Sequence, residues 1–379
     1  FEVVGEPLNL ERVNAIRQTR HAISKLDQCW RDSKRIPESF RARVLEMKDW
    51  LEKLQMEVNA LGPSVDMISS DSVKEHESTT IQMISSYIGQ VFPDAYRSLE
   101  ETLAAVDSET MKLCISFFRE KLQDLIFQAP FAHRVYHKPR GYAGDYQMMN
   151  YIYKKEEIGQ SLFAKCLHQY WLNEPSAQAV RNRAHYLVNK ISEHIESHRQ
   201  ASELRYLSVA SWPAMEWQRL AVSEQPYDGQ IIVDLLDQDQ DALKEAQRCL
   251  KLTQKRLAVE FNFVNKAIKN ILAKGLDPES YDMIYSAGLF DYLSAPVAQV
   301  TAQRLFQALR PGGELIIGNF SMENPNKLIM DLALDWHLIY RSENDLRAMF
   351  EGLSPDILVE REELGINLFC VIKKHRSSS

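Results

Sequence analysis

The stretch Leu204–Glu216, LRYLSVASWPAME, reads as a buried strand, a tight turn and the start of a helix. An acidic strand end follows at Leu235-Leu236-Asp237-Gln238-Asp239, and after it come YDMIYSAGLFDYLS (Tyr281–Ser294) and LRPGGELIIGNFS (Leu309–Ser321). Apolar runs at Arg205–Val209, Gly229–Leu236, Leu257–Phe263, Tyr281–Tyr285 and Glu314–Asn319 predict five strands. Helical patterns separate them, at about 214–222, 239–251, 268–273 and 295–309. Strands that alternate with helices predict a mostly parallel, doubly wound α/β sheet covered on both faces. The last two strands, Ile357–Arg361 and Ile366–Lys373, are separated only by Glu362-Glu363-Leu364-Gly365, which predicts a terminal antiparallel hairpin.

Upstream, an all-helical region precedes the sheet. Residues 8–60 carry an apolar helical stripe interrupted at Pro37 and stopped at Gly62-Pro63. Residues 73–90 predict another helix with a turn at Pro93, and residues 95–128 predict a long one. The segment Ala132–Tyr146, AHRVYHKPRGYAGDY, is dense in basic and aromatic residues and is punctuated by Pro139, Gly141 and Gly144. It predicts a loop with specified bends, and such loops carry sites more often than packing. Helix resumes over Met148–Tyr170 and again over 175–199, with Pro175 at a first helical position. Further on, Trp336 and Tyr340 are spaced to share a helical face near the strand-five end, Asn319-Phe320-Ser321. The division expected is a helical region over 1–130, a cap over 131–200 and a sheet domain over 201–379.

Composition bounds the function. The chain has 379 residues, 45% hydrophobic and 26% charged, as in an ordinary globular protein large enough for two cores. A net charge of −7 disfavours a general nucleic-acid binder. No apolar run is long enough to span a membrane, and no signal peptide is evident. The five cysteines lack CxxC spacing, which fits reduced thiols in a cytoplasm and argues against a zinc site.

The order of strand, turn, helix and acidic strand end resembles the catalytic domain of class I S-adenosylmethionine-dependent methyltransferases. In an open parallel sheet the ligand lies over the carboxyl ends of strands where their order reverses. The resemblance implies S-adenosylmethionine as cofactor, held at the first turn by Ala210, Ser211 and Trp212. There the glycine positions of a GxGxG-like turn hold Ala210, Trp212 and Ala214. Alanine is tolerable at the outer positions if φ is negative, whereas Trp212 is the serious departure. Asp237, with Gln238 beside it, is placed to accept the ribose hydroxyls; capping of the next helix is the structural alternative, open to Asp239 as well. Lys266 and Ala267 stand where the family contacts adenine. Ser286, Ala287 and Gly288 leave room for the methionine part.

The segment Lys138–Asp145, KPRGYAGD, resembles a signature of a bacterial subgroup with a helical N-terminal region. That subgroup includes enzymes similar to makers of 3-hydroxy fatty acid methyl esters. The resemblance spans about residues 90–375 and implies a small or lipid-like acceptor. Arg140 could then hold an acceptor carboxylate, Tyr142 could cover the methyl group, and Asp145 could orient Arg140 or bind the cofactor's amino group. His137, with His133, is a base candidate for a hydroxyl or amine acceptor. The plainer alternative is that an Arg–Asp pair and tyrosines fasten the helical part to the sheet. Two other functions compete: a methyltransferase-like protein that binds ligand or partner without turnover, motivated by Trp212, and a nicotinamide-dependent oxidoreductase, opposed by the lost glycines and the hairpin. The N-terminal helices could pair two copies as a homodimer.

Overall fold

The protein is described from a computed structural model, which covers residues 10–61, 70–210, 213–220, 227–257 and 259–375. The predicted stop at Gly62-Pro63 and the turn residues Ser211 and Trp212 lie outside the described residues.

Helix α1 (Leu10–Arg35) breaks at Pro37 before α2 (Glu38–Ala60), as the sequence predicts. α2 turns Phe40, Val44, Met47, Leu51 and Val58 inward, a single stripe at helical spacing. Pro93, by contrast, does not end its helix. It sits inside α3 (Ser70–Leu103), which continues because Ile88, Phe92 and Leu99 are all buried. Tertiary packing there outweighs the hydrogen bond that proline removes. The break falls later, where the Asp107 carboxylate accepts the Thr110 N–H at 2.7 Å and opens α4 (Ser108–Ile126).

The segment predicted as one loop is half helix. With Pro130 in its first turn, α5 (Pro130–His137) carries His133, Arg134 and His137, and only 138–145 is irregular. Lys138 at φ 46° ends α5, and Gly141 at φ 85° makes the next bend. The predicted 148–170 helix is likewise two, α6 (Tyr146–Lys154) and α7 (Leu162–Asn173). Lys155 at φ 51° stops the first, and the Ser161 hydroxyl caps the second. α8 (Pro175–Ser197) opens on its proline as expected and leads to the sheet.

Seven strands form one sheet: β1 (Glu203–Val209), β2 (Gln230–Asp237), β3 (Val259–Asn265), β4 (Tyr281–Ser286), β5 (Leu309–Phe320), β6 (Ile357–Arg361) and β7 (Asn367–Lys373). Their order is β3-β2-β1-β4-β5-β7-β6. The first five are parallel, and β7 runs antiparallel between β5 and β6. The order reverses between β1 and β4, so the ligand crevice belongs over Val209 and Ser286. β5 starts earlier than predicted. Pro311-Gly312-Gly313 does not interrupt it, because Gly312 N–H donates to Lys374 O and Lys374 N–H to Gly313 O. The hairpin turn is fixed by the buried Glu362, whose carboxylate accepts the N–H groups of Leu364, Ile366 and Asn367.

The connecting helices are α9 (Met215–Leu220), α10 (Gln240–Cys249), α11 (Lys251–Leu257), α12 (Ile268–Lys274), α13 (Ala295–Gln307), α14 (Lys327–Leu334) and α15 (Glu343–Phe350). The expected helical face joining Trp336 and Tyr340 is absent: Asp335 at φ 50° ends α14, and residues 335–340 have no regular structure. One hydrophobic core runs from α2 through α7 into Phe320 and α14. The helical region is therefore packed against the carboxyl end of β5. Among the described residues no helix is long and apolar enough to cross a membrane.

Candidate functional site

Two recesses lie over the carboxyl edge of the sheet. The first is an open cleft of about 820 Å³ over the ends of β2 and β3, lined by Pro139, Arg140, Tyr142, Gln238, Asp239 and Ala267 among others. Asp237 closes β2 and is buried. One of its carboxylate oxygens accepts the Asp239 N–H at 2.9 Å. Helix capping falls to Asp239, which accepts the N–H groups of Asp241 and Ala242. Asn265 holds this strand end in place by donating to the carbonyls of Asp237 and Gln238, each at 3.1 Å. Lys266 adjoins, its N–H donating to Asp237 O.

Tyr142 brings the loop over the cleft. Burial, then the carboxylates of Asp237, Asp239 and Asp145, push its phenol well above its ordinary range, so it stays protonated. Arg140 is not available in the way the sequence suggests. Its guanidinium donates to both Asp239 oxygens at 3.0 and 2.8 Å and to Asp241 at 3.1 Å, and it lies over the Tyr146 ring. It ties the loop to the start of α10. Nor does Asp145 orient Arg140. Asp145 is buried, forms a two-point pair with Arg134 at 2.8 and 2.6 Å, and caps α6. His137 and His133 stack on each other at 4.1 Å between centroids and contact Phe127, and neither lines the cleft.

The second recess is narrower and lies between the ends of β1 and β4. Ser208, Ala210, Glu216, Gly288 and Arg183 line it, with Tyr153. Ser286 donates to Val209 O at 2.9 Å and locks the two strand ends together. The room expected beside Gly288 is taken by Arg183. Its Nη1 donates to Ala287 O at 3.0 Å and lies 3.1 Å from the point a Cβ on Gly288 would occupy. This guanidinium is buried and makes no ion pair among the described residues, although the carboxylates of Glu216 and Asp291 act on it electrostatically. Buried Glu216 accepts the Tyr285 hydroxyl at 2.7 Å, and burial raises its carboxyl above the usual range. Ala210 and Ala214 both have positive φ, 57° and 53°. The condition under which alanine replaces glycine without strain is thus not met at either position.

Two residues escaped sequence reasoning. Arg183 follows Val180 by three and precedes Leu187 by four, so it shares the buried stripe of α8; a charge on an apolar stripe was the available signal. Asp291, inside the quoted Tyr281–Ser294 stretch, is buried, and burial pushes its carboxyl up to about 6. It accepts the Phe320 N–H at 2.6 Å and joins the end of β4 to the end of β5.

The strand order, with its antiparallel seventh strand, is that of the class I methyltransferase fold. No family profile matches the chain, and no curated protein matches it. Solved structures do. A possible exported protein from Bordetella parapertussis is 16% identical over 82% of this chain and 100% of its own, with a TM-score of 0.49. A SAM-dependent methyltransferase from Methanosarcina mazei is 14% identical over 48% of this chain and 98% of its own, at 0.36. Magnesium protoporphyrin IX methyltransferase from Synechocystis PCC 6803 is 12% identical over 52% of this chain and 83% of its own, at 0.38. At these scores the fold assignment rests on the strand order itself.

Proposed function

We propose that this chain is an S-adenosylmethionine-dependent methyltransferase acting on a small or lipid-like acceptor. The observation that supports it best is the split of donor and acceptor groups over the switch point. Asp237 ends β2 with Gln238 next to it on one side, while the buried guanidinium of Arg183, which makes no ion pair among the described residues, stands beside Gly288 on the other. An aminoacyl nucleoside needs that combination: a carboxylate for ribose hydroxyls and a buried cation for the amino-acid carboxylate. The cofactor would supply an electrophilic methyl group on a sulfonium. The chain would supply orientation and exclusion of water. Asp237 would accept the ribose hydroxyls, Ala267 would border the adenine, and Arg183 would turn from Ala287 O toward the methionine carboxylate. Tyr142, kept neutral, would cover the cleft, and Arg140 would hold the loop closed through Asp239.

An acceptor such as a hydroxy fatty acid fits the resemblance of KPRGYAGD to the bacterial subgroup, and residues 131–200 would act as its cap. Pairing of two copies through α1 is consistent with the exposed Ile16, Ile23, Leu26 and Trp30. The second reading, ligand or partner binding without turnover, is favoured by how closely Arg183 approaches Gly288. Calorimetric titration with S-adenosylhomocysteine tests the proposal. The wild-type chain should bind, and Asp237→Ala and Arg183→Met should each weaken binding by about tenfold or more, as for a lost charged hydrogen bond. No binding to the wild type refutes it. Binding with no methyl transfer to any acceptor tried selects the second reading.

A further inference from the structure

Helix α1 is anchored at one end only. Arg35 reaches Asp107 and Thr110 at 3.4 Å and Ile36 is buried, whereas every residue from 14 to 31 is exposed. That leaves about 27 Å of helix with no buried face. An isolated helix of this length is marginal in water, so α1 needs a partner. Its apolar side chains are ordered for one. Ile16, Ile23 and Trp30 are seven apart, and Thr19, Leu26 and Ser33 each follow by three. That repeat makes a seam for a second helix in a left-handed coil. Ile16, Ile23, Leu26 and Trp30 are 47–70% exposed, so the seam is uncovered. The two hydroxyls on it are bonded within the helix, Thr19 to Ala15 O at 2.9 Å and Ser33 to Trp30 O at 2.8 Å. Covering the seam therefore leaves neither of them without an acceptor.

The flanks of the seam decide what covers it. One flank carries Arg20, Asp27 and Lys34, and the other Ala15, Ala22 and Cys29. In a parallel pair of copies the charged flank lies against the uncharged one, and no ion pair forms. In an antiparallel pair the charged flanks face each other. With Ile23 level with the partner's Leu26, Arg20 meets the partner's Asp27, and Asp27 meets the partner's Arg20. A slip of one heptad instead sets Arg20 on Arg20 or Asp27 on Asp27. Within its own chain Asp27 has only a loose, exposed contact with Arg31 at 3.9 Å, and Lys34 lies over the Trp30 ring at 4.7 Å. We propose that α1 pairs antiparallel with α1 of a second copy, in the register that sets Arg20 against the partner's Asp27. A patch that complements itself about a two-fold axis closes at two copies. This gives the pairing of copies named above its orientation and register. It does not rest on cofactor binding, so its failure and the failure of the proposed function are separable.

Sedimentation equilibrium of the full chain, over concentrations up to about 100 µM, reads the pairing. The wild-type chain should form a dimer. Leu26→Asp places two carboxylates in the middle of the seam and should weaken the dimer at least about a hundredfold. Leu26 is 70% exposed in the single chain, so the urea transition of the remaining fold should not move. Arg20→Asp and Asp27→Arg each turn two attractive pairs into two repulsive ones and should weaken the dimer about tenfold. The double variant restores both pairs and should return the affinity to within about threefold of wild type. Positions 20 and 27 lie about 10 Å apart along one helix, so an effect within the helix would not give that rescue. A wild-type chain that stays monomeric leaves the seam to another partner and overturns the proposal. So does a dimer that Leu26→Asp does not weaken, or a double variant no tighter than the single ones.

Discussion

Replacing Glu174 by glutamine should leave stability near its wild-type value in mild acid and raise it above neutrality. Glu174 is buried between α7 and α8, and burial pushes its carboxyl from 4.5 up to about 7 despite hydrogen bonds from Tyr170 and Asn326. A carboxyl that titrates higher in the folded state than in the unfolded state holds its proton more tightly when folded. Its stabilising contribution is complete below the unfolded value and is lost as pH rises through the folded one. A displacement of that size corresponds to roughly 3 kcal/mol between the two limits. Glutamine keeps the oxygen that accepts from Asn326 and carries no charge to desolvate. The variant should therefore match wild type within about 1 kcal/mol near pH 5 and exceed it by roughly 3 kcal/mol near pH 8. Urea unfolding of both chains at the two pH values measures this, and because the comparison is made at each pH, the other titrating groups cancel. A stability difference that stays flat between those pH values would refute the account of Glu174.

The acid limb should have the opposite sign. Burial pushes His168 and His194 down to about 4, so the fold favours their neutral forms and loses stability as pH falls from about 6.5 through 4. His194→Gln should flatten part of that loss in a pH series of thermal melts. Arg134→Ala would leave the buried Asp145 without its two-point partner and should cost about 3–5 kcal/mol, read as a fall in the urea midpoint. Ala210 is exposed with φ 57°, so Ala210→Gly removes strain without loss of packing and should raise stability by about 0.5–1 kcal/mol. Calorimetry that finds it destabilising would refute the left-handed backbone assigned there.

Much of the architecture was legible locally. Pro37, Pro175 and the four residues between the last strands carry their meaning in their immediate neighbours, and the boundaries they mark lie within a few residues of the observed ones. Pro93 misled because its local effect is opposed by buried Ile88, Phe92 and Leu99, whose partners lie on other helices. The loop was half legible. Gly141 marked a true bend, but His133, Arg134 and His137 belong to a helix with Pro130 in its first turn.

The candidate site was less legible than the fold. The acidic end of β2 and the Ser286-Ala287-Gly288 turn were marked by residue type at strand ends, and the structure brings both to the switch point. Their partners could not be read off. Arg140 was paired on paper with nearby Asp145, yet it meets Asp239, 99 positions away, while Asp145 meets Arg134. Arg183 reaches Ala287 across 104 positions.

The sequence by itself determined most of the strands and helices, since side-chain period and backbone preference act over a few residues. Only the tertiary structure decided which charge meets which. Ion pairs form between side chains brought together when α8, the 138–145 loop and the sheet dock, and docking depends on the whole buried surface.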